Sequence, residues 1–384
     1  MKKFLLITLF VLVFSLMTGC SGQEDLSKTR EAFAQGTEGD IVIGLPGPIT
    51  YMQELTGFYN GVMLAVDEVN SNNGINGSMI KIRIADDKGT FSDGIKIAQE
   101  FASQEDMCAV IGHWNSYITL PAARIYNDAG LVMLSPIVSN SDLTKNGYEY
   151  VFQNTINDSE MGRQMADYAK EKGYEHIAVF YADNDYGRGL SNAFEACVAD
   201  NGGLIVDSMT EFVNDQEFNK AFEKWQALDY DAVFIADSMP HAGEFIKKLK
   251  EKDPGIPVFA GDGLDIADLP NALGNAAEGM VIATMYNSES EDEAQKVFLE
   301  AFRNKYNVEP DVWAVDGYDS IKLLAETMQK IQSISPAEIA KELHSQKEWK
   351  GVMGRAEFNS NGEMTGRSVY KKIVINGKME YLKN

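Results

Sequence analysis

Short apolar runs alternate with stretches of helical period along most of this chain, and the alternation is played through twice. Ile41 to Leu45 reads as a strand, and Phe58, Val62, Val66 and Val69 then form one stripe of a helix that stops at Asn72-Asn73-Gly74. Ile80, Ile82 and Ile84 alternate with Lys81 and Arg83, which predicts a strand with one buried face. A helix through Ile95, Ala98 and Phe101 follows, then strands at Ala109 to Gly112 and Leu131 to Leu134. The rhythm restarts at Ile177 to Tyr181 and continues through strands at Ala232 to Ala236 and Val258 to Gly261, with helices between. Two β-α series predict an α/β fold of two doubly wound, Rossmann-like, largely parallel sheets, one per lobe. The C-terminus departs from the rhythm. Tyr370 to Ile375, Asn376-Gly377 and Lys378 to Leu382 read as a hairpin with a type I′ turn.

The start of the chain sets its compartment. Lys2 and Lys3 precede an apolar run from Phe4 to Met17. Fourteen residues at a helical rise cover only about 21 Å of a hydrocarbon core about 30 Å thick, so the run exports the chain without spanning the bilayer. It ends in Met17-Thr18-Gly19-Cys20, similar to the lipobox of bacterial lipoproteins, with Met17 where Leu is usual. Residues 1–19 are thus expected to be a signal peptide and Cys20 the lipidated mature N-terminus. Residues 20–39 are expected to be a flexible tether, with one short helical stretch around Leu26 to Ala34. Lys and Arg number 34 against 57 Asp and Glu, a net charge of −23. Such a polyanion is repelled by phosphate backbones and anionic headgroups, which excludes nucleic acid as a partner and leaves the lipid as the only membrane attachment. Cys108 and Cys197 are expected to be buried thiols in different lobes.

In open α/β sheets ligands bind beyond the carboxyl ends of the strands, where loops meet helix N-termini. Lobe one offers the loops Gly47 to Tyr51, His113 to Tyr117 and Ser135 to Ser139, rich in hydroxyls and aromatics. Lobe two offers Asp183 to Gly187, Asp237 to Met239 and Gly261 to Gly263, which carry carboxylates and a tyrosine. Facing one another, these groups suit a ligand with an anion at one end and a cation at the other, of which a free amino acid is the simplest.

Gly47-Pro48, Asp86-Asp87, Val110-Ile111-Gly112-His113, Ser135-Pro136, Asn140, Leu143-Thr144, Asp185-Tyr186-Gly187-Arg188-Gly189 and Ala277-Glu278-Gly279-Met280 fall in an order and spacing that resembles the Leu/Ile/Val-type periplasmic binding proteins of ABC importers. The resemblance runs from about Ile41 to the C-terminus. It implies a type I, Venus-flytrap fold of two lobes joined by three crossovers, with lobe one at 40–154 and 286–344 and lobe two at 155–285 and 345–384. It also implies that Ser116, Ser139 and backbone groups near Ile137 hold a ligand carboxylate, and that Asp262 pairs with the α-ammonium beside Tyr186. Asp262 stands where these binders often have Glu in a longer loop, and Ser238-Met239 stands where they often have a tyrosine. Tyr51, Trp114 and Tyr117 are candidates for the side-chain pocket. Each of these residues has a structural rival: Ser116 and Ser139 as helix caps, Asp262 as a turn residue between two glycines, the aromatics as lobe packing. Asp237 reads either as a cap for the helix after Pro240 or as a further contact.

The expected function is an extracytoplasmic, lipid-anchored, monomeric solute-binding protein that passes an amino acid, branched-chain by resemblance, to an ABC transporter permease. The same cleft would also serve an amide, a urea or an aromatic acid, or a sensor that reports to a receptor. A secreted hydrolase is the least favoured reading. The four histidines show no HExxH or other paired spacing, and there is neither a G-x-S-x-G elbow nor a Walker lysine loop. No catalytic residue, metal or cofactor is expected; Asp183-Asn184-Asp185 starts like a calcium loop, but its Gly comes too early and no Glu closes it.

Overall fold

Strands flanked by helices on both faces must be apolar throughout, and the central strands here are. All residues of β1 (Ile41–Gly47) are buried. In the computed structural model, which describes residues 26–35 and 39–382, β1 joins β2 (Ile80–Asp86), β3 (Met107–Ile111), β4 (Val132–Ser135) and β5 (Val151–Gln153) in a parallel sheet ordered β2-β1-β3-β4-β5. β6 (His176–Tyr181), β7 (Leu204–Met209), β8 (Ala232–Ala236), β9 (Val258–Ala260) and β10 (Val281–Thr284) repeat that order as β7-β6-β8-β9-β10, again all parallel. A small antiparallel sheet follows, made of β11 (Trp349–Gly351), β12 (Gly354–Phe358) and β13 (Met364–Thr365). The closing hairpin, β14 (Tyr370–Ile375) and β15 (Lys378–Tyr381), lies antiparallel on β10; Asn376 and Gly377 have φ of 51° and 71°, as a type I′ turn requires.

Helices sort by sheet. The helix Phe58–Ser71 packs on the long helix Val312–Ile331, and Asp311 caps both, accepting from the amides of Gly57 at 2.9 Å and Ala314 at 2.8 Å. Lys305 reaches back to Asp67. The helices Asp158–Lys172 and Asp185–Asp200 pair beside the second sheet. The segments that join the two sheets, around 154–155, 285–286 and 367, lie side by side. Thr155 Oγ1 donates to Met285 Sδ at 2.9 Å, and Arg367 Nη1 to the Asn154 carbonyl at 3.1 Å. Arg367 is buried with Asp316 and Asp319, and burial pushes its pKa down and theirs up.

Four expectations are amended. Residues 349–365 bond to the first sheet, not the second: the Gln153 amide donates to the Gly362 carbonyl at 2.8 Å and the Phe152 and Phe358 rings meet at 5.4 Å. β2 is an edge strand, so Ile84 is 42% exposed and the alternation does not give a fully buried face. Cys108 is buried, but Cys197 is only half-buried on its helix. Residues 26–35 form a helix docked on the protein, so this part of the expected tether is not free chain. Residues 1–25, including Cys20 and the signal-like run, lie outside the described residues; among the described residues no helix is long and apolar enough to cross a membrane.

Candidate functional site

The identical strand orders put a switch point between β1 and β3 in one half and between β6 and β8 in the other, and the loops beyond them line one cleft of about 350 Å³. All eight sequence-selected residues, Tyr51, Trp114, Ser116, Tyr117, Ile137, Ser139, Tyr186 and Asp262, lie on its wall.

One pole is built for an anion. Ser116 opens the helix Ser116–Asp128, and the first amides bonded within that helix are those of Ile118 and Thr119, both to the Asn115 carbonyl. The amides of Ser116 and Tyr117 are therefore left at the positive end of the helix dipole, next to the Ser116 hydroxyl. Ser116 is not the cap, since Asn115 holds that position without a side-chain capping bond. The loop before this helix is pinned from behind. Buried His113 meets Asp87 Oδ2 at 2.9 Å through Nδ1 and the Tyr126 hydroxyl at 3.1 Å through Nε2, while the Tyr117 hydroxyl donates to the Gly89 carbonyl at 2.6 Å. Ile137 and Ser139 sit on the loop after β4. Gln153 Nε2 holds this loop by donating to the carbonyls of Val138 at 2.8 Å and Asn140 at 3.1 Å. Ser139 does not cap a helix either, and its hydroxyl closes no well-formed hydrogen bond among the described residues.

The opposite pole is acidic. Asn184 caps the helix Asp185–Asp200 by accepting from the Gly187 amide at 3.0 Å, which aims Tyr186 at the cleft. The Tyr186 hydroxyl donates to Asp262 Oδ1 at 3.0 Å and accepts from the Gly263 amide at 3.0 Å. The glycines beside Asp262 permit this approach: a Cβ at Gly261 or Gly263 would come within 3.1 or 2.8 Å of that hydroxyl. Asp262 is 3% exposed, and burial raises its carboxyl to about 6 even though the Tyr186 bond works the other way. An ammonium in the cleft would supply the counter-charge that this carboxylate lacks.

Behind Ser139 lies Asp158, at the start of its helix and 2% exposed. Burial lifts its carboxyl to about 8; the nearby Ser139 hydroxyl works against the shift and the Asp262 charge adds to it. Sequence reading missed Asp158 because an acidic residue at a helix N-terminus looks like ordinary dipole compensation. It also missed Trp313, which lines the cleft from the Val312–Ile331 helix. Trp313 extends an aromatic wall: the Trp114 ring lies 5.3 Å from Tyr51, 5.3 Å from Trp313 and 5.7 Å from Phe58 behind. Exposed Lys88 and half-buried Asn184, Ser238 and Met239 complete the rim. Asp237 is spent on its own helix, accepting from the Ser238 amide at 2.7 Å and meeting His241 Nδ1 at 2.5 Å.

The two walls touch. Asn140 Nδ2, from the first half, donates to the Asp185 carbonyl of the second at 2.6 Å, and the hydroxyls of Ser141 and Ser159 meet at 3.0 Å.

Residues 41–371 match the profile of a family described as periplasmic binding protein. An ABC transporter substrate-binding protein from Desulfitobacterium hafniense, solved in complex with Leu, is 38% identical with a TM-score of 0.81, covering 89% of this chain and all of that one. The Leu/Ile/Val-binding protein homolog 1 of Brucella abortus (strain 2308) is 28% identical over 363 residues, 91% of this chain and 95% of its own. A branched-chain amino acid transporter substrate-binding protein of Streptococcus pneumoniae, solved with isoleucine, is 27% identical with a TM-score of 0.79, covering 90% of this chain and all of that one.

Proposed function

The chain belongs to the periplasmic binding protein family, and on that premise we propose that it captures a free amino acid with an apolar side chain between its two lobes and delivers it to an ABC transporter permease. The observation that carries this reading is the polarity of the cleft: unfilled amides and a hydroxyl at Ser116 on one wall, and the Tyr186–Asp262 pair on the other. A carboxylate on the first and an ammonium on the second would replace lost water with charge-assisted hydrogen bonds at both ends. The side chain would then lie against Tyr51, Trp114 and Trp313, a surface that favours an apolar group. Lobe one is 40–154 with 286–365, lobe two is 155–285 with the closing hairpin, and the adjacent crossings are the hinge. The mature protein works outside the cytoplasm, monomeric and held to the membrane by lipid on Cys20. It binds without turnover.

A melting screen tests the ligand class. Any ligand that binds the folded chain raises its melting temperature according to its excess over Kd. Apolar amino acids should shift the transition, and amides, ureas and aromatic acids should not. If no amino acid shifts it, even after unfolding and refolding to strip carried ligand, the reading fails. A shift by benzoate-like acids alone would move the function to that class. Mass spectrometry of the mature N-terminal peptide tests the anchor separately.

A further inference from the structure

The helix at residues 26–35 lies on the base of lobe one, the side away from the cleft, and two consecutive residues fasten it to three other helices. Arg30 is 2% exposed. Its Nη1 donates to the Ala129 carbonyl at 2.5 Å, and its Nη2 to the carbonyls of Ala102 at 2.7 Å and Gln104 at 3.1 Å. Ala102 ends the helix Phe91–Ala102, and Ala129 is the C-cap of the helix Ser116–Asp128. One guanidinium thus sits on the negative ends of two helix dipoles, which offsets the desolvation that acts against its charge. Glu31 does the converse. Its carboxylate accepts from the Ala337 amide at 3.1 Å and from the Ser335 hydroxyl, at the positive end of the helix Pro336–Ser345. Ser27 packs on Gly130, where a Cβ would lie 2.7 Å from its Oγ.

A solvated tether has no use for a buried arginine matched to two helix ends. We propose that residues 26–35 are a strap that fixes the membrane attachment to the base of lobe one, so that the lipid tether ends at Leu26 and not at Asp40. This rests on the reading of Cys20 as the anchor. With the strap seated, only the six steps from Cys20 to Leu26 separate lipid from protein, at most about 21 Å of chain. With it released, the twenty steps from Cys20 to Asp40 extend to about 70 Å. The first geometry holds the base of lobe one within that shorter reach of the bilayer.

The test uses the mature chain with Cys197→Ser, coupled through Cys20 to a maleimide lipid in phosphatidylcholine vesicles. Cys108 does not compete, because burial pushes its thiol up to about 12. A fluorescent non-natural residue at exposed Glu100, in the last turn of the helix Phe91–Ala102 and so at the base of lobe one, reports single-molecule energy transfer to an acceptor in the bilayer. The expected result is a narrow, high-transfer distribution in the parent that loses height and broadens in Arg30→Ala and in Glu31→Lys. Hydrogen exchange on the uncoupled chain should show the amides of 26–35 protected about tenfold or more in the parent and unprotected in both variants. Using two variants, one of them at half-buried Glu31, guards against a folding defect in either. Unprotected amides in the parent, or equal transfer distributions in parent and variants, would overturn the strap. Because coupling is chemical, a chain never lipidated in the cell gives the same answer here, and only the peptide mass would report that separate failure.

Discussion

If Asp262 is the partner of a ligand ammonium, binding must remove its proton, and affinity must then depend on pH. Burial in the empty cleft holds this carboxyl at about 6, whereas in the complex the cation keeps it ionised. For a zwitterion that does not itself titrate between pH 5 and 7, the apparent Kd is multiplied by 1 + 10^(6 − pH). The factor is about 1.1 at pH 7, about 2 at pH 6 and about 11 at pH 5. Asp158, raised to about 8, is mostly neutral across this window and adds little to the slope. Isothermal titration of the amino acid with the largest melting shift should therefore show about a tenfold loss of affinity from pH 7 to pH 5, with uptake of protons by the protein on ligand release. Asp262→Asn keeps an acceptor for Tyr186 but removes the charge. It should weaken binding at pH 7 by about 10- to 150-fold, the worth of a hydrogen bond to a charged group, and flatten the pH profile. A flat profile in the parent, or a slope that persists in Asp262→Asn, would refute the assignment.

Two further outcomes follow from the same structure. Asn140→Ala removes the bond to the Asp185 carbonyl that ties the lobes together; denaturant unfolding of the ligand-free chain should show a loss of about 0.5–1.5 kcal/mol, the net worth of one hydrogen bond, and unfolding identical to the parent would contradict the tie. Asp311 and Asp319 are both raised to about 6, chiefly by burial. A carboxyl whose folded pKa lies above its unfolded value contributes stability that is present below about 3.8 and lost as pH rises through about 6, at most about 3 kcal/mol for each group. Denaturant melts of the ligand-free protein at pH 5 and pH 7.5 should show this loss in the parent and a smaller one in Asp311→Asn and Asp319→Asn; an equal loss in all three would contradict it.

Much of the cleft wall was readable before the fold because strand ends mark it. Once Ile111, Leu134, Tyr181 and Ala260 were placed at or beside the ends of strands, the next few residues had to be the cleft loops, and Ser116, Ser139, Tyr186 and Asp262 came from that rule together with a family resemblance. Trp313 escaped because it reaches the cleft from the side of a helix, where a tryptophan in an apolar stripe reads as core. β5 and β11 span three residues each and include a polar one, Gln153 and Lys350, so neither makes an apolar run like that of β9. The strap escaped for a different reason: Arg30 and Glu31 are polar residues on a polar segment, and only the positions of three distant helix ends turn them into anchors. Local pattern reports which groups avoid water, but it does not report which distant dipoles a charge will meet.

The aromatic wall also makes the protein its own optical probe. Of four tryptophans, Trp225 and Trp349 are buried and donate to Asp207 at 2.8 Å and Glu326 at 3.0 Å, away from the cleft. The other two, Trp114 and Trp313, face each other across 5.3 Å on the cleft wall. Two of the four indoles thus border the cleft, and two rings this close also couple in the near-ultraviolet. Occupancy of the cleft should be visible in the colour and circular dichroism of the unlabelled chain, so that binding can be followed in the native protein on the membrane without adding a dye.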